Sequence, residues 1–361
     1  MNCHAEGQSG LTSFRLVPAE ATLGALSHRS RPASGRNIQP RTMRMGADMG
    51  DSLLYAIGRA RMQGSAKTRY QHRAEAARFV RDLRAAGHGV QSWRSISNKH
   101  VAAVVEIWVA KGLTNATMKE YLSGVRAVAR AYGNGNLRET NDFRAADGSL
   151  LVGPRLSIDN RNRAVPEAVY VAALAKLRSG TEDERRLAVH VALMRTGGLR
   201  HEESRKLNPR RCLLADGRVF LSDGTKGGRE RMIFAPSPAF LSAINDARRI
   251  VSRHGNLMPD GTTERAWEKM AYAMACAAGI SIAACGASLH GLRHAYAQER
   301  YVGITGFRCA SAGGTLAEAT EIAGTAWRQL DSDARLLIKS ELGHGPDRDD
   351  VVARYLGARF R

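Results

Sequence analysis

Arg200, Lys226, His290, Arg293, His344 and Tyr355 are the side chains in this sequence whose types, order and settings could act on a phosphodiester. Arg200 lies in Thr196-Gly197-Gly198-Leu199-Arg200-His201-Glu202-Glu203, where a helix end meets a glycine turn and a new helix start, with an acid three residues on. Lys226 sits in Gly224-Thr225-Lys226-Gly227-Gly228-Arg229-Glu230-Arg231, a glycine-rich stretch that reads as a hairpin. In Leu289-His290-Gly291-Leu292-Arg293-His294 the His and Arg are three apart, so both lie on one helix face and can reach one phosphate. Glu341-Leu342-Gly343-His344 is followed eleven residues later by Tyr355, within Arg354-Tyr355-Leu356-Gly357.

The chemistry follows from the groups. A phosphodiester under attack gathers negative charge on its non-bridging oxygens, and planar guanidinium groups bind such oxygens as a fork; Arg200 and Arg293 suit this. A 5′-alkoxide leaves poorly without a proton, which an ammonium on a hairpin tip, Lys226, could donate. A phenol ionises only near about pH 10, so Tyr355 as nucleophile needs nearby positive charge and a proton acceptor. His290 could be that acceptor and His344 a donor to a phosphate oxygen. Glu203 would orient Arg200 or His290. A phosphotyrosine bond keeps the energy of the broken phosphodiester, so a deoxyribose 5′-hydroxyl could reverse the step without ATP or metal. The sequence carries no Walker loop and no carboxylate cluster for Mg²⁺, and no cofactor or metal is expected. Taken singly, each group has a plainer reading: an ion-paired Arg, a solvated loop Lys, a helix-surface His/Arg pair, a late Tyr packed on a core. His201, His294 and Arg231 read as structural or phosphate-contacting.

The elements that must hold these groups fall into two domains, the second mainly α with a small β-sheet. Residues 1–48 show no sustained period and read as a flexible basic leader. Residues 49–135 read as a helical bundle. Ser65 caps a helix to about Ala86, Lys99–Ala110 forms a second, and Thr114 opens a third running to about Tyr132. Lys67, Arg69, Arg73, Lys111 and Lys119 stand near helix starts, where phosphate is favoured. Residues 136–164, rich in Gly, Asn, Asp and Arg, read as a linker, and 165–361 as a mixed domain. There Pro166 suits a first helical position and Thr181–Glu184 a capping box. Arg211–Ala215, Arg218–Ser222 and Arg231–Ala235 read as short strands. Everything after Ser237 reads as helical, punctuated by glycines at 255, 279, 303 and 343.

Charge indicates the class of partner. The chain has 54 Lys+Arg against 34 Asp+Glu, a net +20, which implies a polyanion, nucleic acid above all. Arg229 and Arg231 in the hairpin join the basic residues of the bundle as candidate DNA contacts. Five scattered cysteines without ligand spacing argue for a reducing compartment and against structural zinc. The uncharged stretch Met270–Leu289 is broken by Gly279 and Gly286 and poor in large apolar groups, so a buried helix and turn is expected, with no membrane partner. With no signal peptide discernible, the expected location is cytoplasmic.

In their order, the five motifs resemble the tyrosine recombinase (phage integrase) family. An Arg in a T-G-x-R-like turn with an acid three on, a hairpin Lys, H-x-x-R, L-G-H and a late Tyr cover residues 165–361. The approach Ala334–His344 is similar to integrases of bacterial mobile elements. The family likeness implies an α+β chain with a SAM-like, core-binding helical bundle and a catalytic domain on opposite faces of duplex DNA. It also implies cutting and rejoining at attachment sites through a 3′-phosphotyrosyl link on Tyr355, with two to four copies acting together. Gly197-Gly198 adds a glycine to the usual turn, and the 301–337 connection is long. Two other readings stay open: a type IB topoisomerase-like nicking-closing enzyme, marked by supercoil relaxation without exchange, and a catalytically decayed DNA-binding protein, marked by no covalent adduct.

Overall fold

In the computed structural model of the chain, the described residues are 52–145, 147–153, 160–345 and 349–360. The leader at 1–48 lies outside them. The described residues form two compact units: those from Ser52 to His100 together with Gly124–Leu137, and those of Val101–Ser123 together with the described residues from Arg138 onward.

The first unit contains α1 (Ser52–Arg59), α2 (Ala66–Ala85), a 3₁₀ turn at Trp93–Ser95, the start of α3 (Asn98–Ala110) and the end of α4 (Asn115–Ala131). Ser65 caps α2, its Oγ accepting the Thr68 N–H at 3.1 Å. Phe79, Val80 and Leu83 recur at helical spacing and are buried. The Trp93 ring packs 6.2 Å from Phe79, and its indole N–H donates to the Leu53 carbonyl. Asn134 donates to the carbonyls of Trp93 and Ile96, closing the turn between helices.

The second unit holds the remainder of α3 and α4, then α5 (Glu167–Arg178), α6 (Glu182–Gly197) and α7 (His201–Lys206). The hairpin β1 (Val219–Leu221) and β2 (Arg231–Ile233) follows, then α8 (Pro238–Arg248), α9 (Glu264–Ala277), α10 (Ile282–Cys285), α11 (His290–Thr305), α12 (Leu316–Ala323), α13 (Trp327–Glu341) and α14 (Asp349–Leu356). The strands are antiparallel, with Val219 opposite Ile233 and Leu221 opposite Arg231. Helix α11 is central, packed by α6, α13 and α14. Leu187, Val191, Phe240, Trp267 and Leu292 form one core, and Tyr301, Phe307, Trp327, Ile338, Leu342 and Tyr355 another.

Several expectations need correction. The stretch 211–215 is not a strand: the Asn208 carbonyl accepts the N–H groups of Arg211 and Cys212, leaving only a single bridge, Leu213 to Val219. Gly303 lies inside α11, and the helix ends instead at Gly306; one interior glycine costs about 1 kcal/mol, which packing on both faces of α11 offsets. Pro166 is the N-cap of α5 rather than its first residue. The long 301–337 connection is filled by α12 and the start of α13. Between 136 and 164, Leu137, Phe143 and Val152 are buried and Arg144 bridges Leu150, so this stretch is partly folded. No single described helix is long and apolar enough to cross a membrane, and Met270–Leu289 lies mostly in α9 and α10, with Ala271 and Ala275 in the core.

Candidate active site

Helix α6 stops at Gly198, whose φ of 62° is the left-handed turn that reverses the chain into Leu199-Arg200. A side chain at Gly197 would strike Phe240 and one at Gly198 would strike Tyr296, so both glycines of the pair are required. The turn leaves Arg200 as N-cap of α7, and Glu203, in the first turn of that helix, reaches back to it. A Glu203 oxygen accepts the Arg200 backbone N–H at 2.7 Å, and the other accepts its guanidinium.

Glu203 is 1% exposed and gathers three guanidiniums. Arg231 NH2 donates to it at 2.6 Å, and Arg293 NH1 lies 3.6 Å away. Burial pushes the Glu203 carboxyl up, but Arg231, Arg293 and Arg200 outweigh it and hold the group at about 2. Glu203 thus contacts Arg200, the first of its two expected partners, through both backbone and guanidinium. The alternative, that it orients His290, is not seen: the contacts of Glu203 are to arginines.

Arg293 has no exposed surface and its donors fan out in three directions. NH1 donates to the Gly198 carbonyl, NH2 to the Leu342 carbonyl at 2.5 Å, and Nε to the Tyr355 hydroxyl at 3.1 Å. Arg200 NH2 donates to the same Leu342 carbonyl at 3.2 Å. His344, two residues beyond, has Nε2 at 3.5 Å from Arg293 NH2. One helical turn before Arg293, His290 Nε2 lies 3.3 Å from the Tyr355 hydroxyl on the open side of the site. Packing by neighbouring atoms lowers the His290 imidazole to about 4, helped by the charges of Arg293 and Arg200, so it is neutral near pH 7 and able to accept.

Tyr355 is the penultimate residue of α14 and is 4% exposed. Its ring lies between three imidazoles, at 4.5 Å from His294, 5.8 Å from His290 and 5.9 Å from His344. Its carbonyl accepts from Ser311 Oγ at 2.7 Å and from the Gln298 amide. Arg200, Glu203, His290, Arg293, His344 and Tyr355 therefore converge, although they come from four separate segments.

Lys226 opens a 3₁₀ turn, Lys226–Gly228, between β1 and β2; its backbone alone is described. Arg229 is exposed, with its guanidinium close against Gly345, next to His344. Arg231, read as structural or phosphate-contacting and expected among the DNA contacts, is buried instead. Its side chain is 2% exposed and is spent on Glu203 and on the Gly198 and Glu341 carbonyls. Of the bundle residues, Lys67 and Lys111 are exposed, while Arg69, Arg73 and Lys119 are half-buried, with Arg69 donating to Gly64 and Arg73 to Ala60. His294, read as structural or phosphate-contacting, is the ring packed on Tyr355. Sequence reading did not anticipate the carbonyls of Gly198 and Leu342 as acceptors, because a backbone carbonyl leaves no mark in a sequence.

A family model described as "Integrase" matches residues 155–299, and one described as "Phage integrase, N-terminal" matches residues 52–137. The Tn1549 transposon integrase in complex with transposon right end DNA superposes with a TM-score of 0.54 at 12% identity, covering 85% of this chain and 95% of that one. The same integrase with a circular intermediate DNA gives 0.51 at 13% identity, covering 85% and 95%. A lambda integrase dimer bound to a COC′ core site gives 0.49 at 16% identity, covering 86% and 78%. No curated protein matches by sequence. The chain belongs to the tyrosine recombinase (phage integrase) family.

Proposed function

We propose that the chain is a site-specific recombinase that cuts and rejoins duplex DNA through a 3′-phosphotyrosyl intermediate on Tyr355, integrating or excising a mobile element. The observation that carries this reading is the Tyr355 hydroxyl between the Nε of Arg293 and Nε2 of His290, with Arg200 on the same Leu342 carbonyl as Arg293. An entering phosphate would take the guanidinium donors that the Leu342 and Gly198 carbonyls hold in the free chain. His290, neutral, would accept the phenolic proton as the oxygen attacks phosphorus. His344 would donate to a non-bridging oxygen, and Lys226 would protonate the departing 5′-oxygen. Rejoining reverses these roles.

Residues 49–135 would act as a core-binding domain and 165–361 as the catalytic domain, joined by the 136–164 segment. Lys67, Arg69, Arg73, Lys111, Lys119 and Arg229 would contact DNA phosphates. Two to four copies would assemble on paired sites, and the work would be done in the cytoplasm. The test is covalent capture on nicked suicide duplexes, followed by mapping of the adducted peptide. An adduct on Tyr355 is expected; no adduct, or one on another residue, overturns the reading.

A further inference from the structure

Arg231 is the first residue of β2 and follows Lys226 by five positions, on the strand that leaves the 3₁₀ turn. Its guanidinium has three acceptors on two segments: Glu203 Oε2 at 2.6 Å and the Gly198 carbonyl at 3.5 Å in the turn into α7, and the Glu341 carbonyl at the end of α13. The Glu341 contact precedes the two carbonyl and imidazole groups that face Arg293, namely Leu342 and His344. Gly343 has a φ of 64°, and a Cβ there would lie 2.7 Å from Arg231 Cδ, so the turn is moulded on this side chain. Glu341 is itself fixed from behind, its carboxylate accepting from Arg300 at 2.9 Å and from the Tyr296 hydroxyl at 3.0 Å.

We infer that Arg231 is the positioning residue that couples the Lys226 hairpin to the arginine pair through Glu203, and to the Leu342-Gly343-His344 turn through the Glu341 carbonyl. The inference rests on the cleavage reading above. It assigns Arg231 no contact with the reacting atoms.

This role differs from that of an ordinary buried ion pair in two respects. First, an ion pair needs only Glu203, whereas Arg231 also spans to Gly198 and Glu341 and leaves its own Nε without an acceptor among the described residues. A side chain kept for stability alone could be replaced by an apolar one without that cost. Second, three guanidiniums, Arg200, Arg231 and Arg293, surround one carboxylate, which leaves two positive charges. A phosphodiester attacked by a phenolate carries two negative charges, one from each reactant. Without Arg231, Glu203 would hold Arg200 and Arg293 more tightly and half of that excess would be lost.

The test uses the full chain and nicked duplexes selected from a random pool by covalent capture with the wild-type protein. Arg231→Gln should bind a captured duplex within about twofold of wild type, because Arg231 touches no DNA. In single turnover at saturating protein it should cleave about 10²-fold more slowly, the size expected when reacting groups are misplaced by about 1 Å. The deficit should persist when the bridging 5′-oxygen is replaced by sulfur, since the arginine pair is needed on either strand. Arg231→Lys, which keeps the charge but cannot span both Glu203 and Glu341, should recover part of the rate. Arg231→Gln with Glu203→Gln should be no slower than the slower single variant, because the two act as one unit. If Arg231→Gln does not fold, the partial loss in Arg231→Lys and its persistence on the sulfur strand decide the matter. Weaker binding with an unchanged saturated rate would make Arg231 a DNA contact and overturn the proposal. An unchanged rate, or a deficit confined to the ordinary strand, would overturn it too. If the wild-type chain captures no duplex, the cleavage reading falls and this inference with it.

Discussion

The Tyr355 hydroxyl lies 3.1 Å from Nε of Arg293, on a guanidinium with no exposed surface. That contact places the oxygen where a developing negative charge would be met by a fixed donor, and a charge-assisted hydrogen bond is about twice as strong as a neutral one. The remaining donors of Arg293 are engaged by the Gly198 and Leu342 carbonyls, so DNA must compete for them. Tyr355→Phe removes one oxygen and keeps the ring that packs on His294. The variant should fold and bind duplex DNA, at a cost of about 1–3 kcal/mol for the unpaired Arg293 Nε–H, while covalent capture disappears. An adduct on Tyr355→Phe would remove Tyr355 as nucleophile.

Acid should weaken the fold well before Glu203 loses its charge. Burial holds His190 at about 3 and His294 at about 3, whereas both sit near 6.5 in an unfolded chain. Between about pH 6.5 and 3 the unfolded state therefore binds more protons than the folded one, and stability falls as pH falls. Each of the two contributes a slope of up to about 1.4 kcal/mol per pH unit. Glu203 adds a loss only below its ordinary value of 4.5, continuing down to about 2. Denaturant midpoints measured at steps from pH 7 to pH 4 should decline throughout; a flat profile would mean that these histidines are not neutral in the folded chain.

What could be read in the sequence was local. Arg200 with Glu203, and His290 with Arg293, are three apart on helical segments, and the structure brings each pair to the same place. Ser65 and Thr181 cap their helices as their side chains require. The misses were non-local. Arg231 looks like a surface charge at a strand start, and its burial depends on Glu203, 28 positions away. The strand expected at 211–215 shrinks to one bridge because the Asn208 carbonyl takes the Arg211 and Cys212 N–H groups, while the Leu214 N–H and the Cys212 carbonyl still bond to Arg218 and Phe220; that competition is invisible to β-propensity. The meeting of four segments at Tyr355 was legible only through the family's motif order, since no spacing within the chain specifies it.

Binding should be dominated by phosphate contacts, given the net charge of +20. Each neutralised phosphate releases counterions, so log K should fall linearly with log salt, with a slope of about −0.9 per contact. Six to ten contacts would lose about 10³–10⁵ in affinity between about 50 and 200 mM salt. Charge reversal at the exposed Lys67 or Lys111 should flatten the slope and leave the cleavage rate at saturation unchanged. Fluorescence titrations of a labelled duplex at four salt concentrations measure both; a salt-independent affinity would remove the phosphate backbone as the main partner.

The role proposed for Lys226 can be separated from simple positioning by changing the leaving group. The glycines at 227 and 228, with φ of 72° and 70°, carry the turn that begins at Lys226 between β1 and β2. If its ammonium protonates the departing 5′-oxygen, the need should vanish when that atom leaves easily without a proton. Sulfur in the bridging position does this, because a thiol ionises near about 8.5 while water, a rough proxy for an alcohol, needs about 15.7. Lys226→Ala should cleave ordinary DNA about 10²–10⁴-fold more slowly, the usual size of a general-acid contribution. On the sulfur-bridged strand it should approach the wild-type rate. Arg200→Ala and Arg293→Ala should stay defective on both strands, because the non-bridging oxygens they face are unchanged by the substitution. Equal deficits for Lys226→Ala on the two strands would make Lys226 a phosphate-binding residue. The proton donor would then have to be sought elsewhere, and Arg229 is a poor candidate because a guanidinium hardly gives up its proton.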